Sequence, residues 1–172
     1  MTAAPLRFQT QRRVEFRDTD AAGIVHFSAF FVYMEQAEHE LLRSVGLSVV
    51  SHDDQGEITF PRISAACDFR KPARFEDLLD IEVTIETLGS RCIAYAFRFT
   101  RGSDTIATGS LTTACCRIRP GQAPQSIAIP APFARRLRSR DGQRARAGGS
   151  PGERTQRSAT VQAAENGFQD RS

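Results

Sequence analysis

The sequence predicts an α+β fold in which an antiparallel sheet of about five to six strands wraps round one long central helix. One strand-like segment precedes a single long helical segment, and about five strand-like segments with short connections follow it. The first half of the helical segment is apolar on nearly every side, which is typical of a helix enclosed by other structure. Strands joined by short connections pair antiparallel. Because the first half of the helix is apolar on nearly every side, we expect this sheet to wrap round it.

The first strand is predicted at residues 12–16, where polar and apolar residues alternate. Val14 and Phe16 fall on one face, as in a half-buried strand. The sequence DTDAAG comes soon after this segment and has the composition of a turn. Strand one should therefore end beside an acidic turn that leads directly to the helix.

The helix is predicted at residues 27–45, because apolar residues recur there at helical spacing. Ser28 is the expected N-cap, and Gly46 is the expected residue just past the C-terminal cap. The segment FSAFFVYMEQA is apolar nearly all round, whereas EHELLRS is amphipathic. We therefore expect the N-terminal half of the helix to be covered on most sides.

The remaining strands are predicted where β-forming residues cluster between breaks rich in Pro, Gly and Asp. They are residues 58–60, 63–69, 78–88, 92–100 and 106–118. The order of one strand, one long helix and about five strands calls for a curved sheet packed round the helix. This is the arrangement of the hotdog fold.

The chain has 172 residues, within the range of about 100–200 that is typical of one domain. We expect one folded domain at residues 1–137 and a disordered polar, arginine-rich tail at residues 138–172. The tail has almost no large apolar residues, so it cannot bury enough surface to offset its ordering entropy. Acids, Gly and Ser interrupt its arginines, which favours a solvated segment over one that binds nucleic acid.

Several classes of protein are excluded by composition. No segment approaches the roughly 18 apolar residues of a membrane span, and the N-terminus lacks the apolar run of a signal peptide. We expect a cytoplasmic protein without a membrane or nucleic-acid partner. The four cysteines show no C-x-x-C spacing and the three histidines are scattered. Reduced, mostly buried thiols are expected, with no metal site and no cofactor.

The most informative stretch is RVEFRDTDAAGIVHFSAFFVYMEQAEHELLR, residues 13–43. A basic residue and a branched aliphatic lead to the acid pair of DTD, then to Gly-Ile-Val and a helix rich in aromatic residues. These elements resemble the signature of the 4-hydroxybenzoyl-CoA thioesterase family, which includes the acyl-CoA thioesterases associated with the Tol-Pal system. The segment FRKPARFEDLLDIEVTIETLG resembles the family's later hairpin, so the likeness covers most of residues 12–119.

The resemblance implies hydrolysis of an acyl-CoA thioester to a free acid and coenzyme A. Asp20 takes the position of the family's catalytic aspartate, as nucleophile or general base, and the Phe27 N–H that of the donor to the thioester carbonyl. His26 is a candidate for orienting water or substrate, with a packed surface histidine as the alternative. Gly23 and Val25 belong to the same turn and are predicted to lie against the substrate.

Elementary chemistry supports this placement of the site. A carboxylate between a strand and a helix lies close to unpaired backbone N–H groups and to the positive end of the helix dipole. Thioester hydrolysis needs a carboxylate and a donor aimed at the oxygen that gains charge. Glycine at position 23 permits the positive φ or the close backbone approach that such a turn can require.

Other polar residues have a structural and a functional interpretation. Arg70, Lys71 and Arg74 cluster before a strand and are candidates to bind the phosphates of coenzyme A, with a solvated loop as the alternative. Asp18 is interpreted as a structural turn residue, with a supporting electrostatic role as the alternative. Glu35 is a second candidate acid on the helix, facing either the site or a partner protomer.

Two other functions stay open at this point. One is an acyl-thioester dehydratase or hydratase of the same fold, and the other is an acyl-CoA-binding sensor that has lost hydrolysis. A homodimer, built up to a homotetramer, is also expected, because a lone protomer would leave a sheet edge exposed. In the resembling family, two protomers form the site between them.

Overall fold

A computed structural model describes residues 6–138. Within this range the chain forms strands, a 3₁₀ turn and two helices, in the order β1 (Arg7–Arg13), 3₁₀ turn (Phe16–Asp18), α1 (Phe27–Ser44), β2 (Val50–Asp53), β3 (Gly56–Thr59), β4 (Arg62–Phe69), β5 (Leu78–Leu88), β6 (Cys92–Arg101), β7 (Asp104–Ala114), β8 (Cys116–Ile118), β9 (Gln125–Ser126) and α2 (Ala131–Arg138).

A five-stranded antiparallel sheet forms the centre of the fold, with the order β1-β5-β6-β7-β4. The helix α1 packs on one face of this sheet and contacts β1, β5 and β4. The α+β class and the hotdog arrangement predicted from the sequence are therefore confirmed.

The alternating pattern of the central strands separates the two faces of the sheet. In β5, Leu79, Ile81 and Val83 are fully buried against α1, whereas Asp80 and Glu82 lie on the opposite face. The helix contributes side chains of zero or near-zero exposure, namely Met34, Ala37, Leu41 and Leu42. Burial of each large apolar side chain stabilises the fold by about 1.5–3 kcal/mol.

The helix approaches β7 most closely where that strand carries a glycine. A Cβ added at Gly109 would lie 2.4 Å from the Met34 sulfur and 3.1 Å from the Ala66 carbonyl oxygen. A side chain at this position would displace the Met34 thioether and crowd the Ala66 carbonyl of β4.

A second sheet, with the order β2-β3-β8-β9, and the helix α2 were not predicted. The strands β2 and β9 have only four and two residues, too few for a clear periodic pattern. The ring of Phe133 in α2 stacks on Phe60, with 4.6 Å between the ring centroids. The guanidinium of Arg136 donates to the Gly46 carbonyl, which ties α2 to the C-terminal end of α1.

The first strand lies earlier than predicted. β1 spans Arg7–Arg13 rather than residues 12–16. Val14 is fully buried, but Phe16 belongs to the 3₁₀ turn and is 77% exposed, so the prediction that both share a buried face was wrong. The carboxylate of Asp18 accepts a hydrogen bond from the Glu15 N–H at 3.0 Å, and this contact bends the chain away from the sheet.

The last predicted strand, residues 106–118, is two strands in two sheets. β7 ends at Ala114, and the N–H of Cys115 then donates to the Arg91 carbonyl at 2.7 Å. The next residues form β8 against β3. The sequence does not show where β7 ends and β8 begins, because β-forming residues continue without a break. The change of partner strand depends on contacts with residues far away in the chain.

The ends of α1 differ from the prediction at one end only. His26, not Ser28, is the N-cap, because its Nδ1 accepts from the Ser28 N–H at 3.3 Å. At the other end Gly46 has the predicted left-handed conformation, with φ +70°. The N–H groups of Gly46 and Leu47 donate to the carbonyls of Arg43 and Leu42, at 3.0 and 2.8 Å, which forms a Schellman motif.

The N-terminal half of α1 is less enclosed than expected. Phe27 and Val32 are 59% and 49% exposed, because the sheet lies on one face of the helix. All four cysteines are free, and two of them, Cys115 and Cys116, are buried.

The predicted disordered tail at residues 138–172 lies, apart from Arg138, outside the described residues and remains a prediction. Within residues 6–138, no helix has the combination of length and hydropathy needed to cross a bilayer.

Candidate active site

The chain between β1 and α1 forms a loop that is closed by its own backbone. The N–H of His26 donates to the Asp18 carbonyl at 2.8 Å, and the N–H of Asp20 donates to the Ile24 carbonyl at 2.9 Å. Between these two bonds lies an antiparallel bridge that joins Thr19 to Val25. The loop therefore holds its shape through main-chain atoms, and it brings the acidic turn up to the first residue of the helix.

Asp20 begins the tight turn at the tip of this loop. Its carbonyl accepts from the Gly23 N–H at 2.9 Å, and Gly23 has a φ of +69°, which favours glycine. The Asp20 Oδ1 accepts from the Ala22 N–H at 2.8 Å. No donor contacts the Asp20 Oδ2 among the described residues, so one carboxylate oxygen is oriented by the turn and the other is available for chemistry.

The helix N-terminus has a backbone donor without a protein acceptor among the described residues. Phe27 is the first residue of α1, and its N–H is one of the amides that a helix leaves unpaired. Within residues 6–138, no acceptor lies within hydrogen-bond distance of it. The helix dipole adds positive potential at the same place.

A cleft of about 520 Å³ opens beside the loop. Its wall is mainly apolar and contains one carboxylate and two cations; the lining residues are Asp20, Ile24, Val25, Phe27, Phe30, Phe69, Arg70, Lys71, Pro72 and Ala73. Asp20, Val25, Phe27, Arg70 and Lys71, which the sequence predicted as site residues, thus lie together.

The other apolar wall residues were not predicted. Phe69 and Pro72 flank the cations of the connection after β4, and the N–H of Val25 donates to the Ala73 carbonyl at 2.8 Å. Phe30 is 3% exposed, so it belongs to the core as well as to the wall of the cleft. A signal was present in the sequence FRKPA, where apolar residues flank the two predicted cations on both sides.

The remaining predicted residues lie beside the cleft rather than in its wall. Gly23 shapes the turn. His26 caps the helix, its ring Nδ1 lies 2.7 Å from Ser28 Oγ, and its ring packs on Phe27 with 4.4 Å between centroids. The guanidinium of Arg74 approaches the Gly23 carbonyl at 3.4 Å.

The two cations of the cleft wall differ in whether a protein side chain already pairs with them. The ammonium of Lys71 forms an ion pair with Asp104 at 2.6 Å, and this pair lowers the pKa of the Asp104 carboxyl. No acceptor among residues 6–138 contacts the guanidinium of Arg70. Arg70 is therefore the cation of the cleft that is available to an anionic ligand.

Glu35 does not line this cleft. Its carboxylate lies 3.2 Å from the guanidinium of Arg62, which also pairs with the fully buried Glu38. Within one protomer, the structure separates Glu35 from Asp20.

Two further clefts, of about 550 and 430 Å³, lie on the face of the sheet opposite to the helix. Their walls mix acids, amides and cations from β1, β5 and β6, including Gln9, Glu82 and Arg98. Neither contains a helix N-terminus. The cleft at Asp20 alone combines, among the three, a carboxylate, a backbone donor and an apolar wall.

Comparison with known proteins identifies relatives over this region. A family model described as the thioesterase superfamily matches residues 22–108, about half of the chain, beginning two residues after Asp20. A putative esterase of Aquifex aeolicus is 32% identical over 123 residues, which cover 72% of this chain and 91% of the relative. A 1,4-dihydroxy-2-naphthoyl-CoA hydrolase of Synechococcus elongatus is 28% identical over 109 residues, covering 63% of this chain and 80% of the relative.

The fold is also similar to that of solved structures. A gentisyl-coenzyme A thioesterase superposes with a TM-score of 0.66 and 27% sequence identity, over 77% of this chain and 100% of that one.

Proposed function

The chain belongs to the thioesterase superfamily, and from that membership we propose that it hydrolyses acyl-CoA with Asp20 as the catalytic carboxylate. Its membership of this superfamily and its similarity to acyl-CoA and 1,4-dihydroxy-2-naphthoyl-CoA hydrolases identify the protein as a thioester hydrolase. One observation carries the residue assignment: Asp20 and Phe27 line the same cleft, and each keeps one polar group without a protein partner.

In the proposed reaction, the thioester carbonyl places its oxygen toward the Phe27 N–H. The Asp20 carboxylate either takes a proton from a water that attacks the carbonyl carbon, or attacks that carbon itself to form an anhydride that water then hydrolyses. In the first route the C–S bond breaks as the proton taken by Asp20 passes to the sulfur. In the second route the C–S bond breaks with coenzyme A leaving as the thiolate, which is protonated by a proton released when water hydrolyses the anhydride. The negative charge that develops on the carbonyl oxygen is stabilised by the amide and the helix dipole.

The first test is the release of free thiol from benzoyl-, 4-hydroxybenzoyl-, acetyl-, hexanoyl- and palmitoyl-CoA by the wild type and Asp20→Asn. This substitution keeps the side-chain volume and removes the charge, and we expect kcat to fall by about 100-fold or more. Asp80→Asn is the matched control, because Asp80 lies on the opposite face of the sheet and bonds Gln11. Binding without thiol release by the wild type would favour a sensor, and undiminished turnover by Asp20→Asn would refute the assignment.

We further propose that Arg70 binds the phosphates of coenzyme A. A guanidinium that has no acceptor among the described residues can bind a phosphate group, because it offers several donors in a planar fork. Arg70→Gln should raise KM for acyl-CoA while KM for the corresponding acyl-pantetheine, which lacks the nucleotide phosphates, stays constant. Lys71→Gln should have the smaller effect, because Asp104 already engages that ammonium.

We also propose that two protomers pair across β4. This strand is an edge of the main sheet and is exposed along most of its length, including Ile63 at 60% and Phe69 at 51% exposure. An unpaired edge with apolar residues is suited to a second strand. Because Phe69 also lines the cleft, a partner protomer on β4 would lie next to the site.

A further inference from the structure

Tyr33 connects the helix to the loop that carries Asp20. Side chains on a helix lean toward its N-terminus, and the Tyr33 hydroxyl thereby reaches back to donate to the Asp18 Oδ2 at 2.7 Å. Tyr33 is only 4% exposed. The same carboxylate oxygen accepts from the Glu15 N–H at 3.0 Å, so Asp18 is held from the helix on one side and from the end of β1 on the other.

The backbone of Asp18 in turn holds the start of α1. Its carbonyl accepts from the His26 N–H at 2.8 Å. His26 is the N-cap, and the next amide is that of Phe27. Asp20 is two residues from Asp18 on the same side of the loop, and His26 lies on the opposite side. Asp18 is therefore connected both to the Asp20 carboxylate and to the Phe27 N–H, the two groups that the proposed reaction requires.

We propose that Tyr33 is a positioning residue, which fixes the Asp20 carboxylate relative to the Phe27 N–H by holding Asp18. The proposal rests on the proposed function of those two groups. A displacement of about 1 Å at a reacting group can cost on the order of 100-fold in rate, so a bond that sets this spacing affects turnover without touching the substrate.

The electrostatic setting keeps this hydroxyl a donor. Burial raises the pKa of Tyr33, and the neighbouring Asp18 carboxylate raises it further. The phenol therefore stays protonated at neutral pH and acts as a hydrogen-bond donor. Phenylalanine at position 33 would fill the same space and delete only the hydroxyl.

The first test compares Tyr33→Phe with the wild type in acyl-CoA hydrolysis. We expect kcat to fall by about tenfold, the effect of a poorly positioned site, while KM changes by less than about twofold. Tyr95→Phe is the matched control, since Tyr95 is the other tyrosine of the chain, is equally buried and lies in β6. An equal loss of kcat in both variants would mean a general effect of deleting a buried hydroxyl and would overturn the proposal.

The second test needs no substrate. Hydrogen exchange of the His26 amide, resolved by NMR, reports the bond to the Asp18 carbonyl directly. We expect exchange about five- to tenfold faster in Tyr33→Phe and unchanged in Tyr95→Phe. Unchanged exchange at His26 in Tyr33→Phe would overturn the proposal, whatever the kinetics show.

A third variant separates this proposal from the proposed function. Asp18→Ala removes the oxygen that accepts from Tyr33, and the double variant Tyr33→Phe with Asp18→Ala should lose less activity than the product of the two single losses, because both substitutions break the same bond. Multiplicative losses would contradict the proposed connection. If Asp20→Asn instead retains full turnover, the proposed function fails, and the exchange at His26 still decides whether Tyr33 orders the loop.

Discussion

The guanidinium of Arg62 lies 2.6 Å from the carboxylate of Glu38, although Glu38 has no exposure to solvent. Glu38 projects from α1, and Arg62 begins the edge strand β4. The same guanidinium lies 3.2 Å from Glu35 and 3.3 Å from the ring of His39. Burial raises the pKa of the Glu38 carboxyl to about 7, and the charge of Arg62 opposes that shift.

Glu38 should make the protein less stable as the pH rises. Between about 4.5 and 7, the folded protein keeps a proton on Glu38 that the unfolded chain has lost, so the free energy of unfolding falls through this range. Glu38→Gln removes this titration and should gain stability relative to the wild type by about 3 kcal/mol across that range. Urea unfolding of both proteins at matched pH values measures the difference.

Glu35→Gln is the control for this prediction. Glu35 contacts the same guanidinium but is half-exposed. Its charge adds less than burial does to the raised pKa of Glu38, so Glu35→Gln should reduce the slope of stability with pH only slightly, whereas Glu38→Gln removes it. Arg62 and Tyr95 contact Glu38, and His39 contacts Arg62; all three are retained in both variants. Parallel pH profiles for the wild type and Glu38→Gln would show that Glu38 does not titrate in this range.

Phe27→Pro should remove the proposed oxyanion donor without breaking the helix. Phe27 is the first helical residue, where proline is tolerated, and His26 before it has φ −62° and ψ 138°, which suits a residue preceding proline. We expect kcat to fall by about 100- to 1000-fold, as on loss of one oxyanion donor. Circular dichroism should show an intact helix.

Phe27→Ala distinguishes the effect of losing the backbone N–H from the effect of losing the aromatic ring. It keeps the N–H and deletes a ring that is 59% exposed, so any loss should appear mainly in KM. Equal kcat values for Phe27→Pro and Phe27→Ala would exclude the Phe27 amide as the donor.

Gly46→Ala should destabilise the fold through backbone strain and through loss of a hydrogen bond, because the end of the Arg136 side chain, which donates to the Gly46 carbonyl, would have to move aside. Gly46 has φ +70°, and an added Cβ would lie 2.8 Å from the guanidinium of Arg136. Gly121 has φ +71° with no described atom within 4 Å of such a Cβ. We expect Gly121→Ala to cost about 1 kcal/mol and Gly46→Ala about 1 kcal/mol more. Thermal unfolding of the two variants provides the comparison, and equal losses would argue against a contribution from Arg136.

Ile63→Glu should disrupt the proposed dimer. It places a charge on the exposed edge strand β4, where a second strand would bury it. Analytical ultracentrifugation should show the mass of the assembly reduced toward that of one protomer. Val50→Glu is the control, because Val50 is exposed on β2 in the smaller sheet. An unchanged mass for Ile63→Glu would place the interface elsewhere.

Local signals predicted the parts of the fold that local interactions determine. The periodicity of α1 and the glycine at position 46 fixed both ends of the helix to within one residue of the structure. The turn around Asp20 was predicted because Asp, Gly and the following apolar residues occur together. These features depend on neighbours in the chain, and a sequence displays them directly.

Features that depend on distant contacts were not predicted. The departure of Phe16 from the sheet results from a bond between Asp18 and the Glu15 amide, which the alternating pattern conceals. The cleft wall at Phe69 exists because β4 ends opposite the start of α1, and Phe30 packs on it with 5.2 Å between ring centroids. Such pairings are set by the sheet, not by either segment alone.

The Asp18–His26 loop is closed by hydrogen bonds between its own main-chain atoms. Evolution can therefore change the side chains of the cleft wall without changing the orientation of Asp20. If the cleft holds the acyl group as proposed, substitutions at its apolar wall, such as at Phe69 or Pro72, can reshape that space while the hydrogen bonds that orient Asp20 stay the same. Acyl preference can thus drift among descendants of one ancestor at little cost to the rate. For enzyme engineering, libraries directed at the wall should change selectivity in many variants and leave most of them active.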